Sequence, residues 1–165
     1  YWASEYHIDG FRFDLMGLHD CDTMNQIRYA LDEINPQILM YGEAWDLKTA
    51  CDDGTALATQ ANMDKLDSRI GAFDDTVRDA IKGKTFDATD KGFLASGKKT
   101  GNIKIGLSGE CVNGWASAPT QSVVYSSCHD NYTLYDKLVS SLYPDEKDFR
   151  KRHANLVEML SLIHI

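Results

Sequence analysis

The sequence predicts an α/β fold in which parallel strands alternate with helices, and three observations support this class. Residues 6–14 alternate with the period of a strand, whereas residues 21–34 repeat apolar side chains at steps of three and four, as amphipathic helices do. Residues 37–42 form a short apolar run with the length of a buried strand. A strand, a helix and a second strand of about 30 residues in all form the unit that makes neighbouring strands parallel.

The first predicted strand, residues 6–14, has one apolar and one polar face. Successive side chains alternate between the faces of a strand, so Arg12 and Asp14 lie side by side on one face. Phe11 and Phe13 point to the other face, where covering helices are expected. A guanidinium beside a carboxylate keeps that carboxylate ionised, as a nucleophile requires. Taken alone, the pair is equally well explained as a structural ion pair.

The predicted helix at residues 21–34 buries one apolar stripe. Thr23 with Gln26 three residues later matches a capping box at the start of the helix. Asn35-Pro36 ends it, because proline disfavours a helical conformation in the residue before it. The stripe consists of Met24, Ile27, Leu31 and Ile34.

The second predicted strand, residues 37–42, ends at an acid, Glu43. Gly42, directly before the acid, is expected to let a ligand approach the backbone closely. Trp45 offers an apolar wall and a surface on which a sugar ring can stack. Such a wall, together with nearby carboxylates, favours the protonated glutamic acid that a general acid requires. By itself, Glu43 is also explained as a surface glutamate at a strand end.

The remaining chain continues the alternation. We predict a third strand at 69–73, a helix at 74–82, a strand at 122–127 and a closing helix at 144–160. Residues 46–67 are predicted to form a long loop with some helix, and residues 83–101 an exposed excursion. Acids at the ends of parallel strands are typical of the active site of a (β/α)8 barrel. A full barrel needs roughly 250 residues, so this shorter chain is predicted to form only a portion of one.

His129 and Asp130 follow the last predicted strand. Together they offer donors and acceptors for neighbouring sugar hydroxyls. The alternative is a capping aspartate beside a packed histidine. A Ser-His-Asp triad is not supported, because no nucleophile lies in a recognisable elbow.

Composition excludes several other classes of function. The chain carries 17 basic and 25 acidic residues, a formal net charge of −8, and no basic stripe. This charge disfavours nucleic acids and anionic membrane surfaces as partners, and no apolar run approaches the roughly 20 residues that span a bilayer. The first residues do not resemble a signal peptide, and cellular location stays open.

The cysteines have neither disulfide-scaffold nor zinc spacing and are interpreted as scattered thiols: Cys21, Cys51, Cys111 and Cys128.

Three runs together carry a family resemblance. DGFRFD (9–14), YGEAWD (41–46) and SSCHDNYTLYDKL (126–138) resemble, in order, the second, third and fourth signature regions of the α-amylase superfamily, glycoside hydrolase family 13. The last run, preceded by PTQSVVYSS (119–127), most resembles that of type I pullulanases, which are debranching enzymes. The resemblance implies one partial (β/α)8 catalytic domain over residues 1–165, from the fourth strand to the helix after the seventh.

The family's first signature region and its remaining strands have no counterpart here, and residues 161–165 do not continue its pattern. We therefore hypothesise that the sequence is a truncated stretch of a longer protein.

The resemblance implies a role for each matched residue. Asp14 would be the nucleophile, Glu43 the general acid and then the base, and Asp130 the residue that holds sugar hydroxyls and stabilises the transition state. Arg12 would orient Asp14 and also bind substrate. Four further residues would bind substrate: His129, Trp45, Asn131 and Tyr132.

The implied substrates are α-1,6 branch linkages in pullulan, starch or glycogen. The nearest alternatives are an α-1,4-glucan hydrolase or a branching transglycosylase of the same superfamily. A non-catalytic glycan-binding protein and an unrelated α/β binding domain are alternatives of other classes.

No cofactor, catalytic metal or protein partner is implied. The resemblance allows structural calcium, but no site is identified, and we interpret Asp52-Asp53 as a solvated turn.

Overall fold

The computed structural model describes residues 1–47 and 54–142. Within them, four parallel strands form one sheet in chain order. The strands are β1 (Gly10–Phe13), β2 (Leu39–Gly42), β3 (Ile70–Phe73) and β4 (Ser122–Val123). The α-helices are α1 (Trp2–Tyr6), α2 (Cys21–Asp32), α3 (Asp75–Lys82), α4 (Phe93–Ser96), α5 (Thr100–Leu107) and α6 (Leu134–Ser141). The predicted parallel α/β sheet is thereby confirmed.

The chain divides into two compact units. The first comprises Tyr1–Phe73 and Ser108–Val123 and contains the whole sheet. Its core includes Met16, Met24, Met40, Met63 and Ile70. The second comprises Asp74–Leu107 and the chain from Val124, with a core of Val77, Ile81, Ala95, Leu134, Leu138 and Leu142.

The start of the first strand was predicted too early. Residues Trp2–Tyr6 form α1, and His7 ends this helix in a left-handed conformation (φ 53°). Aromatic residues favour strands, which explains the prediction for Tyr6. Instead Tyr6 lies one helical turn after Trp2, and their ring centroids are 4.9 Å apart. Phe11 and Phe13 do pack against the first core, as predicted.

The predicted capping box of the first long helix is wrong. Asp20 is the N-cap of α2, and its Oδ1 accepts a hydrogen bond of 2.7 Å from the backbone N–H of Thr23. The helix ends at Asp32, so Ile34 falls outside the apolar stripe and is 47% exposed. Leu31 and Met24 are buried as predicted.

The predicted helix at 74–82 is confirmed as α3. Asp74 is its N-cap and accepts a hydrogen bond of 3.0 Å from the N–H of Val77. Gly83 follows the helix with φ 98°, a backbone conformation that favours glycine. The excursion predicted at 83–101 is in part wrong, because it contains α4 and packs Leu94 and Ala95 against the second core.

The strand predicted at 122–127 is shorter than expected. Only Ser122 and Val123 pair with β3, whereas Val124 packs against the second core. Tyr125 is held by Arg78 of α3, whose Nη1 lies 2.8 Å from the phenol oxygen. After Val123, contacts with α3 therefore take the place of the hydrogen bonds that would pair the chain with β3. Helices α5 and α6 were not predicted.

Two remaining predictions concern residues outside the described ranges. The closing helix at 144–160 lies entirely outside them, as do positions 48–53 of the predicted loop at 46–67. The described part of that loop includes a short 3-10 helix, Gln60–Lys65. Cys21, Cys111 and Cys128 are free thiols. No helix in residues 1–47 and 54–142 combines the length and apolar character needed to cross a membrane.

Candidate active site

The ends of β1 and β2 bring two acids to one edge of the sheet. Phe13 pairs with Gly42 in parallel register, so the next residues, Asp14 and Glu43, follow the two strands at the same level. The N–H of Glu43 also donates to the carbonyl of Phe13 at 3.0 Å. The predicted pairing of these acids therefore follows from strand register.

Gly42 is required by packing between the two strands. A Cβ at this position would lie 2.6 Å from the carbonyl oxygen of Phe13 and 2.8 Å from Cβ of Met16. The expectation that Gly42 makes room for a ligand is therefore wrong, since protein atoms fill the space that a side chain would take.

Arg12 links the two acids. Its Nη2 donates to Oε1 of Glu43 at 2.7 Å, and its Nη1 donates to Oδ1 of Asp14. The guanidinium carbon also lies 5.5 Å from the ring centroid of Phe73, at cation–π distance. Burial alone would lower the pKa of Arg12, but the hydrogen bond to Asp14 and the charge of Glu43 outweigh it and raise the pKa. Arg12 therefore supplies a permanent positive charge between the acids.

Glu43 is buried, with 3% exposure, and has a second donor. The backbone N–H of Leu15 donates to Oε2 at 2.8 Å. Leu15 adopts a left-handed conformation (φ 47°), which is rare for a residue with a branched side chain. Sequence reasoning missed this backbone donor, and no sequence signal marks a leucine in that conformation.

Asp14 is the accessible member of the pair. Its side chain is 64% exposed, so a ligand can reach it, whereas the Glu43 carboxylate is enclosed. A carboxylate oxygen of Asp14 lies within 4.8 Å of one of Glu43. The site is therefore one exposed and one buried carboxylate that share a guanidinium.

Trp45 lies in the loop that follows β2 and is half-buried. A Cβ at Gly17 would lie 2.1 Å from the Trp45 carbonyl oxygen, so the turn that contains Gly17 packs directly against this loop. The N–H of Gly17 also donates to the carbonyl of Glu43 at 2.8 Å. These backbone contacts hold the segment from Glu43 to Trp45 against the turn after β1.

The other predicted site residues lie in the second unit, in the loop before α6. His129, Asp130, Asn131 and Tyr132 are all exposed. The Nε2 atom of His129 lies 3.6 Å from Oδ1 of Asp130. Asn131 adopts a left-handed conformation (φ 62°), for which asparagine is one of the better-suited residues. The loop therefore presents these polar side chains to solvent.

The alternative view of Asp130 as a helix cap is not supported. The N-cap of α6 is Thr133, whose Oγ1 accepts a hydrogen bond of 3.2 Å from the N–H of Asp136. Ser127 closes the loop, because its Oγ accepts a hydrogen bond of 2.8 Å from the N–H of Leu134. Asp130 is thus left outside the capping arrangement.

Several pullulanases resemble this chain. The pullulanase of Bacillus subtilis (strain 168) is 40% identical over 161 residues, which cover 92% of this chain and 21% of that protein. The crystal structure of apo pullulanase from Paenibacillus barengoltzii matches with 44% identity and a TM-score of 0.83, over 91% of this chain and 24% of that one. Pullulanase complexed with maltotriose from Anoxybacillus sp. LM18-11 matches with 43% identity and a TM-score of 0.83, over 92% and 22%.

No protein-family model matches the chain. The identities above nevertheless extend over nine-tenths of it. The chain spans 21% to 24% of the length of the pullulanases of Bacillus subtilis and Paenibacillus barengoltzii. By sequence and by structure, the chain is therefore similar to one part of the pullulanases.

Proposed function

We propose that this chain is part of the catalytic domain of a retaining α-glucan debranching hydrolase. Its substrates would be α-1,6 linkages in pullulan, starch or glycogen. The observation that carries the proposal is the pair Asp14 and Glu43, linked by Arg12 at the ends of neighbouring parallel strands. The similar pullulanase complexed with maltotriose supports an α-glucan as ligand.

The distance between the two acids supports a retaining mechanism. Retaining glycosidases hold their carboxyl groups about 5–5.5 Å apart, whereas inverting enzymes leave about 6.5–9.5 Å for a water molecule. An oxygen of Asp14 lies within 4.8 Å of one of Glu43. This approach is compatible with the shorter separation.

The contacts of each acid suit different roles. Asp14 is exposed and oriented by Arg12, so it can attack the anomeric carbon and form the glycosyl-enzyme. Glu43 accepts hydrogen bonds from Arg12 and from the Leu15 N–H, which is the arrangement of a base. To act first as an acid, Glu43 would carry a proton, exchange one of these donors for the glycosidic oxygen and give that proton to the oxygen as its bond to the anomeric carbon breaks. It then activates the water that releases the sugar.

Asp130 and its neighbours would complete the site. Asp130 follows β4 in the chain, seven positions after Val123, and its assignment rests on the resemblance of residues 126–138 to the fourth signature region. We propose that Asp130 and His129 form hydrogen bonds with sugar hydroxyls. The substrate walls would be formed by Trp45, Asn131 and Tyr132.

The order of the strands supports a place within a larger barrel. Four consecutive parallel strands, each beside the next in the chain, are the arrangement that a (β/α)8 barrel repeats. We therefore propose that residues 1–165 belong to one such domain, from its fourth strand to the helix after its seventh.

Azide rescue tests the two roles directly, in the longer protein that we propose to contain this chain. With α-maltotriosyl fluoride, Asp14→Ala plus azide is expected to yield the β-azide, because azide takes the place of the nucleophile. Glu43→Ala plus azide is expected to yield the α-azide, because azide attacks the glycosyl-enzyme. Glu33→Gln removes an exposed carboxylate at the end of α2 and should retain full activity. An α-azide from the Asp14 variant would remove Asp14 from the nucleophile role.

Product analysis separates the remaining alternatives. Maltotriose from pullulan, with little product from amylose, is expected of a debranching hydrolase. Release from amylose would favour an α-1,4 hydrolase, and longer branched products would favour a branching enzyme. Glucan binding without any product would indicate a non-catalytic binding protein. The complete set of Arg12, Asp14 and Glu43 argues against this last alternative.

A further inference from the structure

Lys82, in the last turn of α3, is buried with 1% exposure. Its Nζ donates a hydrogen bond of 2.9 Å to the backbone carbonyl of Tyr132. The loop that contains Tyr132 also holds His129 and Asp130. A buried charge therefore contacts the segment to which the proposed function assigns sugar binding.

Burial of this ammonium is unfavourable for the fold. Burial, and next the positive charge of Arg78, lower the pKa of Lys82 below its ordinary value. The cost of desolvating a buried charge can exceed the electrostatic gain from its contacts, so a buried charged group is weak evidence for a contribution to stability. Stability alone thus gives little reason for a lysine in the interior of this unit.

Helix α3 holds the same segment at a second point. Arg78, one turn earlier, donates from Nη1 to the phenol oxygen of Tyr125 at 2.8 Å, and its guanidinium carbon lies 5.7 Å from the ring centroid. Arg78 and Lys82 therefore contact the chain before and after residues 126–131. A hydrogen bond from the N–H of Leu134 to Oγ of Ser127 closes the same loop.

A second buried lysine provides an internal comparison. Lys137 of α6 is fully buried, and its Nζ donates to the carbonyls of Lys84, at 2.8 Å, and Asp87. Both lysines thus bind backbone carbonyls of loops in the same unit. Lys137 holds the loop after α3, whereas Lys82 holds the loop that contains the candidate site residues.

We propose that Lys82 is a positioning residue that holds the loop of His129, Asp130 and Tyr132 in its substrate-binding conformation. The assignment rests on the proposed function of that loop. Lys82 acts through the Tyr132 carbonyl and touches no substrate itself. Its loss should therefore loosen the loop and slow the reaction without unfolding the protein.

Hydrogen exchange in the full-length protein, followed by mass spectrometry, tests this. In Lys82→Met the amides of residues 128–133 should exchange about tenfold faster, the effect of losing a hydrogen bond from a charged group. The melting temperature should change little, because the lost hydrogen bond and the relief of a buried charge act in opposite directions. The kcat on pullulan should fall about tenfold, with little change in KM, if the loop acts mainly in the transition state.

Lys137→Met is the matched control. It should accelerate exchange in residues 84–90 and leave residues 128–133 unchanged. Should Lys82→Met fail to fold, Lys82→Gln replaces it, because its shorter side chain withdraws the donor from the Tyr132 carbonyl. The same local increase is expected of that variant.

Unchanged exchange at 128–133 in a folded Lys82 variant would overturn the proposal. A lower melting temperature, with faster exchange throughout the second unit, would also overturn it in favour of a general structural role. Absence of hydrolysis by the parent protein would instead refute the proposed function, and the exchange comparison would still decide the role of Lys82.

Discussion

Nη2 of Arg12 lies 2.7 Å from Oε1 of Glu43, although 31 positions separate the two residues in the chain. The contact exists because β1 and β2 pair in parallel, with Arg12 opposite Tyr41. The other nitrogen of the same guanidinium donates to Asp14. One side chain thus orients both acids of the proposed mechanism, and its geometry should matter as much as its charge.

Arg12→Lys is expected to lower kcat/KM on pullulan by about 10- to 100-fold. Lysine keeps the charge but has no planar fork, so it cannot donate to Asp14 and Glu43 in the same geometry, and hydrogen bonds to charged groups contribute about 1.5–3 kcal/mol. Steady-state kinetics of the full-length protein measures the loss. Arg69→Lys, which alters an exposed ion pair, is the control and should have little effect. Equal activity of the two variants would contradict a bridging role for Arg12.

Gly42→Ala is expected to destabilise the protein by about 1–3 kcal/mol and to abolish most activity. The added Cβ would meet the Phe13 carbonyl at 2.6 Å and push Glu43 away from Arg12. Gly101→Ala is the matched control, because nothing lies within 4 Å of a Cβ there. Urea unfolding of both variants checks the difference. Wild-type stability of Gly42→Ala would show that the strands accommodate the side chain.

Asp74→Ala should destabilise the protein by about 1 kcal/mol or more, since it removes the N-cap of α3. Asp74→Asn keeps an oxygen acceptor for the Val77 N–H and should retain most of the stability. Thermal unfolding compares the variants. Because α3 contains Lys82, the alanine variant should also loosen the loop at 128–133. An equal loss in the two variants would mean that the charge of Asp74 matters more than its cap.

Acid stability should depend on the ion pairs of Arg69. Hydrogen bonds from Arg69 are the main cause of the lowered pKa of Asp32 and of Asp67. A carboxyl whose pKa is lowered by folding adds stability above its unfolded pKa, about 3.9, and loses it as the pH falls through the folded value. Arg69→Met should therefore reduce stability at pH 6 and flatten its decline below about pH 4. Unfolding by urea from pH 6 to pH 2.5 measures this, and parallel curves for both proteins would refute it.

Local patterns in the sequence were enough to predict the strands that end at Asp14 and Glu43 and the helix between them. Side-chain periodicity of this kind reflects which face of each element is buried, and it is visible within a dozen residues. The side-by-side placement of Arg12 and Asp14 followed for the same reason. The link to the pullulanases likewise depended on short runs of adjacent residues.

Only the tertiary structure decided the contacts between distant residues. The Leu15 N–H reaches Glu43, Gly42 packs on Phe13, and Lys82 holds Tyr132, and none of these pairs is close in the sequence. The last strand ends at Val123 because α3 binds the next residues. Such contacts depend on the relative positions of whole elements and on left-handed turns, and side-chain periodicity contains no information about either.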